Sequence, residues 1–293
     1  MIYLNGEFMP ITEAKVSVMD RGFLFGDGVY EVIPVYSRRP FRLGEHLRRL
    51  QHSLAGIRLA NPHSEVEWAR LIESIIAKNE PEDQSVYLQI TRGADSKRNH
   101  AFPANVAPTV FIMSEALVTP PAALRETGVA AVTATDNRWL RCDLKTTSLL
   151  ANCLLRQLAV DAGCVETILL RDGLMSEGAA SNIFVVKDAV LLAPIKNHLM
   201  LPGITYDVVL ELAQQHGLRA NVRDVTESEL RSADEVWLTS STKEVLPITK
   251  LDGEAVGHGA HRGKPGPAYV EMFRWYQEFK ATVMRGGVGP TRG

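Results

Sequence analysis

Cysteine is scarce in this sequence, with only three among 293 residues. Cys142, Cys153 and Cys164 form no CxxC pair and leave an odd count, which argues against a disulfide framework and against a zinc site. Long apolar runs are missing too, because no stretch approaches the roughly 20 residues that cross a bilayer as a helix. Polar side chains interrupt the N-terminal residues at once, so no signal peptide is visible. These absences predict a cytoplasmic protein with no metal centre and no membrane attachment.

An excess of charge of either sign is also absent. The sequence has 32 Lys and Arg against 34 Asp and Glu, a formal net charge of −2, and an ordinary 45% of hydrophobic residues. Neither a nucleic-acid surface nor a polybasic membrane anchor is indicated. No internal repeat is visible, and the length is sufficient for two domains of ordinary size.

Helix and strand patterns predict an α+β fold with two domains. The stiff segment 119–121, which contains Pro120 and Pro121, is the predicted linker. It separates a smaller N-terminal domain over 1–118 from a larger C-terminal domain over 122–284, and a disordered tail is expected over 285–293. The patterns predict a hairpin at Asn5-Gly6, helices over 45–59, 64–79, 201–217 and 267–284, and strands over 29–36, 85–92, 108–114, 129–135, 165–170, 181–186, 220–225 and 235–239.

A single lysine lies where an apolar segment meets a predicted helix. The segment 138–145 ends in Lys145, and Thr146-Thr147-Ser148 follow before leucines at helical spacing. Hydroxyl residues in this place are typical helix N-caps, so we expect Lys145 just ahead of a helix. Two interpretations remain open. Lys145 is either a surface lysine with a packed stem, or a Schiff-base lysine activated by burial and by cations such as Arg138 and Arg141.

Three further stretches can be interpreted in an ordinary way or a functional way. Glu177 is expected in a glycine-flanked turn, where an acid is usually solvated. Beside a Schiff-base lysine, however, such a carboxylate can keep a pyridinium nitrogen protonated. The stretches 203–205 and 240–242 are either simple caps or an anion site at a helix N-terminus. Arg49 is either a solvated helix residue or a counter-charge for that anion.

Arg98-Asn99-His100 lies in a polar loop between two predicted strands. A planar guanidinium binds a carboxylate through two parallel hydrogen bonds, and an imidazole two residues later can join it. The ordinary interpretation is a polar loop without a ligand. Alone, this motif does not decide between the two.

Taken together, the motifs resemble a known family. The segments are Gly26-Asp-Gly-Val-Tyr30-Glu31, Arg98-x-His100, the segment 138–145, Ser176-Glu177-Gly178, the segment 201–205 and Thr239-Ser-Ser-Thr242. Their order is similar to that of the fold-type IV pyridoxal-phosphate aminotransferases, and most similar to the D-amino-acid aminotransferase branch. The resemblance covers about residues 1–280.

The resemblance implies a fold, a cofactor and a set of roles. It implies pyridoxal 5'-phosphate in the cleft between the two domains of a homodimer, and ping-pong transfer of an amino group from D-amino acids to 2-oxo acids. The implied cofactor residues are Lys145 as Schiff base and proton carrier, Glu177 on the pyridine nitrogen, Leu201 against the ring, and Arg49, Ile204, Thr205 and Ser241 on the phosphate. The implied substrate residues are Tyr30, with Arg98 and His100 contributed across the homodimer, on the carboxylate.

Some positions depart from the family and leave the substrate range open. Ala179 and Ala180 stand where D-amino-acid aminotransferases often have serines, Pro202 matches branched-chain enzymes, and Pro34 is unusual within a strand.

Several alternatives therefore remain. The nearest are a branched-chain L-aminotransferase, an aminodeoxychorismate lyase and an (R)-amine transaminase of the same fold, against which the pair Arg98 and His100 argues. A non-enzymatic binding protein on this scaffold is the alternative from another class, and an intact Lys145 and Glu177 argue against it.

Overall fold

The computed structural model describes residues 1–286 of the chain. It divides into two compact units, of which the first comprises Met1–Leu117 with Leu144–Leu149 and the second comprises Val118–Asp143 with the residues from Leu150 onward. Lys145 thus belongs to the first unit, within what we call the lysine segment, residues 144–149. The predicted linker at 119–121 stays a prediction. The predicted tail lies outside the described residues, apart from a turn at 285–286.

The first unit is an antiparallel sheet with two longer helices. Its elements are β1 (Ile2–Leu4), β2 (Glu7–Met9), α1 (Arg21–Phe25), β3 (Gly28–Tyr36), β4 (Arg39–Pro40), α2 (Leu43–Gly56), α3 (Glu65–Ala77), β5 (Gln84–Thr91) and β6 (Thr109–Ala116). The strand order is β2-β1-β6-β5-β3-β4. The hairpin predicted at Asn5-Gly6 is confirmed, because Leu4 pairs with Glu7 across it.

The core of the first unit follows from the sequence pattern. Leu47, Leu50 and Leu54 repeat at helical spacing on α2 and are buried. Each fully buried side chain of this kind contributes about 1.5–3 kcal/mol. Helix α3 begins at the predicted position, because Ser64 and Glu67 form a reciprocal capping box.

The second unit is built on one mixed sheet. Its elements are α4 (Ala122–Thr127), β7 (Val129–Thr135), α5 (Leu150–Asp161), β8 (Glu166–Arg171), β9 (Leu174–Gly178), β10 (Asn182–Lys187), β11 (Val190–Ala193), α6 (Ile204–Gln215), β12 (Ala220–Val222), β13 (Val225–Thr226), α7 (Glu227–Arg231), β14 (Glu235–Ser240), β15 (Glu244–Leu251), β16 (Glu254–Ala255) and α8 (Pro267–Phe279). The strand order is β12-β11-β10-β14-β15-β7-β8-β9-β13, with β16 paired to β15. Strand β7 pairs in parallel with both β8 and β15. The predicted α+β class is confirmed.

Two local predictions for the second unit are wrong. Glu177 lies within strand β9 instead of a turn, because the chain reverses earlier, at Asp172-Gly173. Both turn residues have positive φ, 53° and 76°, as a tight hairpin requires. The single strand predicted over 220–225 is two separate strands, β12 and β13.

No helix within residues 1–286 combines the length and the apolar character that a membrane crossing needs.

Candidate active site

The main chain at Lys145 is fixed by two elements of the first unit. Tyr30 N–H of β3 donates to the Lys145 carbonyl at 2.9 Å, and Thr147 N–H donates to the Gly28 carbonyl at 3.0 Å. Lys145 N–H donates to Ser53 Oγ of α2 at 3.0 Å. Strand β4 pairs with β3 at Val35 and Tyr36, near the end of β3. At the start of β3, Val29 pairs with Thr146 of the lysine segment. The main chain of Lys145 is therefore held in place by β3 and α2.

The hydroxyls after Lys145 bind a carbonyl that the sequence did not indicate. Thr147 Oγ1 and Ser148 Oγ donate to the Gly26 carbonyl at 3.0 and 2.9 Å, and helix α5 begins only at Leu150. Leu149, which has no hydroxyl, directly precedes α5, and both hydroxyls bind the glycine turn before β3. Gly26 has φ of 66°, and a Cβ there would lie 2.7 Å from Ser148 Oγ. A glycine is required for this approach.

The amine of Lys145 lies against an aromatic ring. Its Nζ is 4.2 Å from the centre of the Tyr30 ring, and both side chains are partly buried. This partial burial is compatible with both interpretations of Lys145, a surface lysine with a packed stem and a Schiff-base lysine. The expected cationic neighbours are paired with acids of the second unit, Arg141 with Asp143 and Arg138 with Asp136.

A buried ionic cluster joins β3 to α2. Glu31 accepts from Arg49 Nε and Nη2, both at 2.7 Å, and contacts His46 Nδ1 at 2.8 Å. Burial alone raises the pKa of Glu31, but the charge and hydrogen bonds of Arg49 and the contact with His46 outweigh it and lower the pKa to about 2. Arg49 is thus a buried, oriented cation and not a solvated helix residue.

His46 is neutral within this cluster. Its burial lowers the pKa of the imidazole more than Glu31 raises it, so its contact with Glu31 is a hydrogen bond and not an ion pair. Within the part of the chain that the structure describes, its Nε2 is buried and has no hydrogen-bond partner. The sequence reasoning missed Glu31 and His46. Glu31 shares one face of β3 with the buried Val29 and Ile33, and an acid in that register needs a partner.

The residues expected to bind the substrate carboxylate lie on two parts of the first unit. Arg98 and His100 are exposed on the loop after β5, and both contact the Phe25 ring, at 5.0 and 5.3 Å from its centre. Tyr30 lies on β3.

Glu177 is the centre of a second buried network, in the second unit. One oxygen accepts from Arg138 Nη1 at 2.7 Å, and the other accepts from Leu201 N–H at 3.1 Å and from Asn182 Nδ2 at 3.4 Å. Arg138 also binds Asp136 through Nε and Nη2 at 2.9 and 3.0 Å. The sequence reasoning missed Asp136 and Asn182, and no local pattern marks them.

Opposing effects act on the protonation of Glu177. Full burial raises the pKa of this carboxyl, and the Arg138 guanidinium lowers it. Burial has the larger effect, the negative charge of Asp136 adds to it, and the pKa rises to about 7. The same acids raise the pKa of Arg138 despite its burial, so the arginine stays charged. A buried carboxyl with this pKa suits a partner that brings its own positive charge, such as a protonated ring nitrogen.

The start of α6 offers N–H groups without a side-chain cap. Gly203 is the N-cap and supplies no side-chain hydrogen bond, and Ile204 and Thr205 form the buried first turn. A Cβ at Gly203 would lie 1.8 Å from Asn182 Oδ1, so glycine is required beside the Glu177 network. An uncapped helix start is a favourable place for a phosphate. Ser241, another expected phosphate residue, lies partly buried in the turn after β14.

The expected site residues thus form two groups. The first unit contains Tyr30, Arg49, Arg98, His100 and Lys145, and the second contains Glu177, Leu201, Ile204, Thr205 and Ser241.

Comparison with known proteins gives consistent findings. Residues 28–251 match the family model described as amino-transferase class IV. The chain is 41% identical over 266 residues to the D-alanine aminotransferase of Bacillus licheniformis, and the match covers 91% of this chain and 92% of that protein.

Solved structures show the same fold. The Escherichia coli branched-chain amino acid aminotransferase aligns with a TM-score of 0.88 at 29% identity, over 100% of this chain and 97% of that chain. The branched-chain amino acid aminotransferase of T.th., complexed with N-(5'-phosphopyridoxyl)-L-glutamate, aligns with a TM-score of 0.84 at 28% identity, over 94% of this chain and 92% of that chain.

Proposed function

This chain belongs to the amino-transferase class IV family, and we propose that it moves amino groups between D-amino acids and 2-oxo acids. D-Alanine and D-glutamate are the proposed donors, and pyruvate and 2-oxoglutarate are the acceptors, in a ping-pong reaction. The observation that carries this proposal is the 41% identity to a D-alanine aminotransferase over 91% of the chain.

The proposed cofactor is pyridoxal 5'-phosphate. Two features fit it: a buried carboxyl that suits a protonated ring nitrogen, and an uncapped helix start that suits a phosphate. A solved relative is complexed with a phosphopyridoxyl compound. When bound, pyridoxal phosphate withdraws the negative charge that develops at the substrate Cα. The residues proposed to hold its ring and phosphate are Glu177, Leu201, Ile204, Thr205, Ser241 and Arg49.

Lys145 is the proposed covalent anchor and proton carrier. Hydrogen bonds from Tyr30 and to Ser53 fix its main chain, so the point from which the side chain extends is fixed. With the cofactor bound, the free amine of Lys145 would take the proton from Cα as a general base and return it as a general acid.

Glu177 is proposed to keep the ring nitrogen protonated. Arg138, Asn182 and the Leu201 N–H hold its two oxygens, so the carboxyl cannot rotate freely. A pyridinium beside it adds a positive charge, which lowers the pKa of Glu177 and keeps it ionised.

The substrate carboxylate is assigned to Tyr30, Arg98 and His100, within a homodimer. One feature of the second unit supports a second copy as the partner. Leu150, Leu154 and Leu158 follow one face of α5 and are 74%, 63% and 48% exposed. A leucine stripe of this kind is unusual on a monomer and typical of an interface. The proposed cytoplasmic location agrees with three free thiols in the described residues.

Transamination of branched-chain L-amino acids is the second candidate. The aligned E. coli structure is a branched-chain enzyme, although its identity to this chain, 29%, is below the 41% of the D-alanine enzyme. The pair Arg98 and His100 favours the first candidate.

Product analysis separates the two candidates. The purified protein with pyridoxal phosphate is incubated with 2-oxoglutarate and either D-alanine or L-leucine, and chiral chromatography identifies the glutamate formed. We expect D-glutamate with D-alanine, and no product with Lys145→Ala. Faster formation of L-glutamate from L-leucine would favour the branched-chain candidate.

A further inference from the structure

One buried arginine, Arg21, binds the main chain of the loop that carries Arg98 and His100. Within residues 93–103, which we call the 93–103 loop, three successive carbonyls accept hydrogen bonds from Arg21. Nη1 donates to Asn99 at 2.5 Å and to Ala101 at 3.3 Å, and Nη2 donates to His100 at 3.2 Å. A single rigid guanidinium thus fixes the direction of the main chain at all three residues.

Arg21 itself is fixed from the other side. It is 3% exposed, and its Nε donates to Asp27 Oδ2 at 2.8 Å. Its main-chain N–H donates to the Gly93 carbonyl at 2.9 Å, at the start of the loop. Asp27 is also bound by Arg92, and although burial raises the pKa of this carboxyl, the two arginines lower it. The guanidinium of Arg21 therefore cannot turn away from the loop without breaking a buried ion pair.

Helix α1 also supports the two side chains of the loop. Phe25 follows Arg21 by one helical turn, and its ring contacts Arg98 and His100. The Arg21 guanidinium lies 4.8 Å from the centre of the same ring. One short helix thus holds the main chain of the loop through Arg21 and its exposed side chains through Phe25.

We propose that Arg21 is the positioning residue for recognition of the substrate carboxylate, because it sets the main-chain path from which Arg98 and His100 project. This inference rests on the proposed function, in which those two side chains bind the carboxylate. Arg21 is buried beneath the loop, and the three carbonyls that it binds lie within the loop. Its contribution is therefore to orientation and not to direct contact with the substrate.

The test uses Arg21→Lys, with Arg38→Lys as the matched control. Lysine retains the charge beside Asp27, but one ammonium cannot also bind three carbonyls. Arg38 has the same chemistry in another turn of the first unit, where it donates to the carbonyls of Ile76, Asn79, Glu80 and Pro81. Both variants thus lose a comparable set of carbonyl hydrogen bonds, and only Arg21→Lys affects the 93–103 loop.

The expected result is a change specific to carboxylates. In Arg21→Lys the KM for D-alanine and for pyruvate should rise about 10-fold, the loss that a misplaced charge-assisted contact produces. The kcat at saturation, and the rate of the half-reaction with the carboxylate-free amine (R)-1-phenylethylamine, should stay within about twofold of wild type. Arg38→Lys should leave all of these values near wild type. Hydrogen exchange of the holoenzyme should be faster over 94–103 in Arg21→Lys only.

Two outcomes would overturn the proposal: KM values in Arg21→Lys that match those of Arg38→Lys, or equal losses with D-alanine and with the amine. If wild type prefers L-leucine to D-alanine, the proposed function fails, and the same comparison made with L-leucine still decides the role of Arg21. If Arg21→Lys does not fold, Asp27→Asn releases the anchor of Arg21 and should raise the KM for D-alanine in the same direction. An unchanged KM in that variant would also overturn the proposal.

Discussion

Replacing Glu31 by glutamine should destabilise the protein strongly, because it breaks a buried ion pair. Glu31 is fully buried and accepts two hydrogen bonds from Arg49, each at 2.7 Å. Its pKa is about 2 in the folded protein against 4.5 for an ordinary glutamate. That difference corresponds to about 3 kcal/mol of stability at pH 7. Glu31→Gln also leaves the Arg49 charge without its acid, and losses of this kind are about 3–5 kcal/mol.

The pH dependence has a definite sign. A carboxyl whose pKa is lowered by folding contributes its full stability above the unfolded pKa of 4.5, and that stability is lost as the pH falls towards 2. The difference between wild type and Glu31→Gln should therefore be largest at pH 7 and should shrink below pH 4.5.

Urea unfolding at one fixed protein concentration, followed by tryptophan fluorescence, measures this difference. Glu271→Gln is the control, because Glu271 forms an exposed pair with Arg274 on α8 and should change stability by less than about 0.5 kcal/mol. If Glu31→Gln does not fold, Glu31→Asp retains the charge and should show a smaller loss. A Glu31→Gln protein within about 1 kcal/mol of wild type at pH 7 would refute the reasoning.

Three further predictions concern the proposed site. Lys145→Ala should abolish turnover, and borohydride reduction of the wild-type holoenzyme should label Lys145 in a peptide map; a label on another lysine contradicts the assignment. Because burial raises the pKa of Glu177 to about 7, the cofactor-free protein should bind pyridoxal phosphate more tightly as the pH rises through 7, by ionisation of Glu177. Glu177→Gln should lack that dependence and should slow removal of the Cα proton in single turnovers, and wild-type behaviour would contradict the role. Arg98→Leu should lower kcat/KM for D-alanine by about 10- to 100-fold, with little effect on a carboxylate-free amine; normal use of D-alanine would place the carboxylate elsewhere.

Features that depend on neighbouring residues could be predicted from the sequence. The capping box at Ser64 and the turn at Asn5-Gly6 each use residues within a few positions, so their signal is local. The strand β3 and the apolar face of α2 likewise follow from simple periodicity. The order of the motifs, taken as a resemblance, led to the family that the comparisons show.

Features that depend on distant residues could not be predicted in this way. The hydroxyls of Thr147 and Ser148 resemble helix caps, but they bind the Gly26 carbonyl, more than 100 positions earlier in the chain. The burial of Arg49 could not be predicted either, because its partner Glu31 lies on another element. Glu177 is buried in strand β9 because the chain turns at Asp172-Gly173. Gly178, beside Glu177, also indicates a turn, and the local sequence does not show which of the two glycines forms it.

The most direct test of the central claim is the half-reaction of the holoenzyme with single amino acids of each hand. Absorbance reports conversion of the aldehyde form of the cofactor to its amine form when D-alanine or L-leucine is mixed with the protein in the absence of a 2-oxo acid. The account predicts rapid conversion with D-alanine and little with L-leucine, and none with either in Lys145→Ala. Faster conversion with L-leucine than with D-alanine would contradict it.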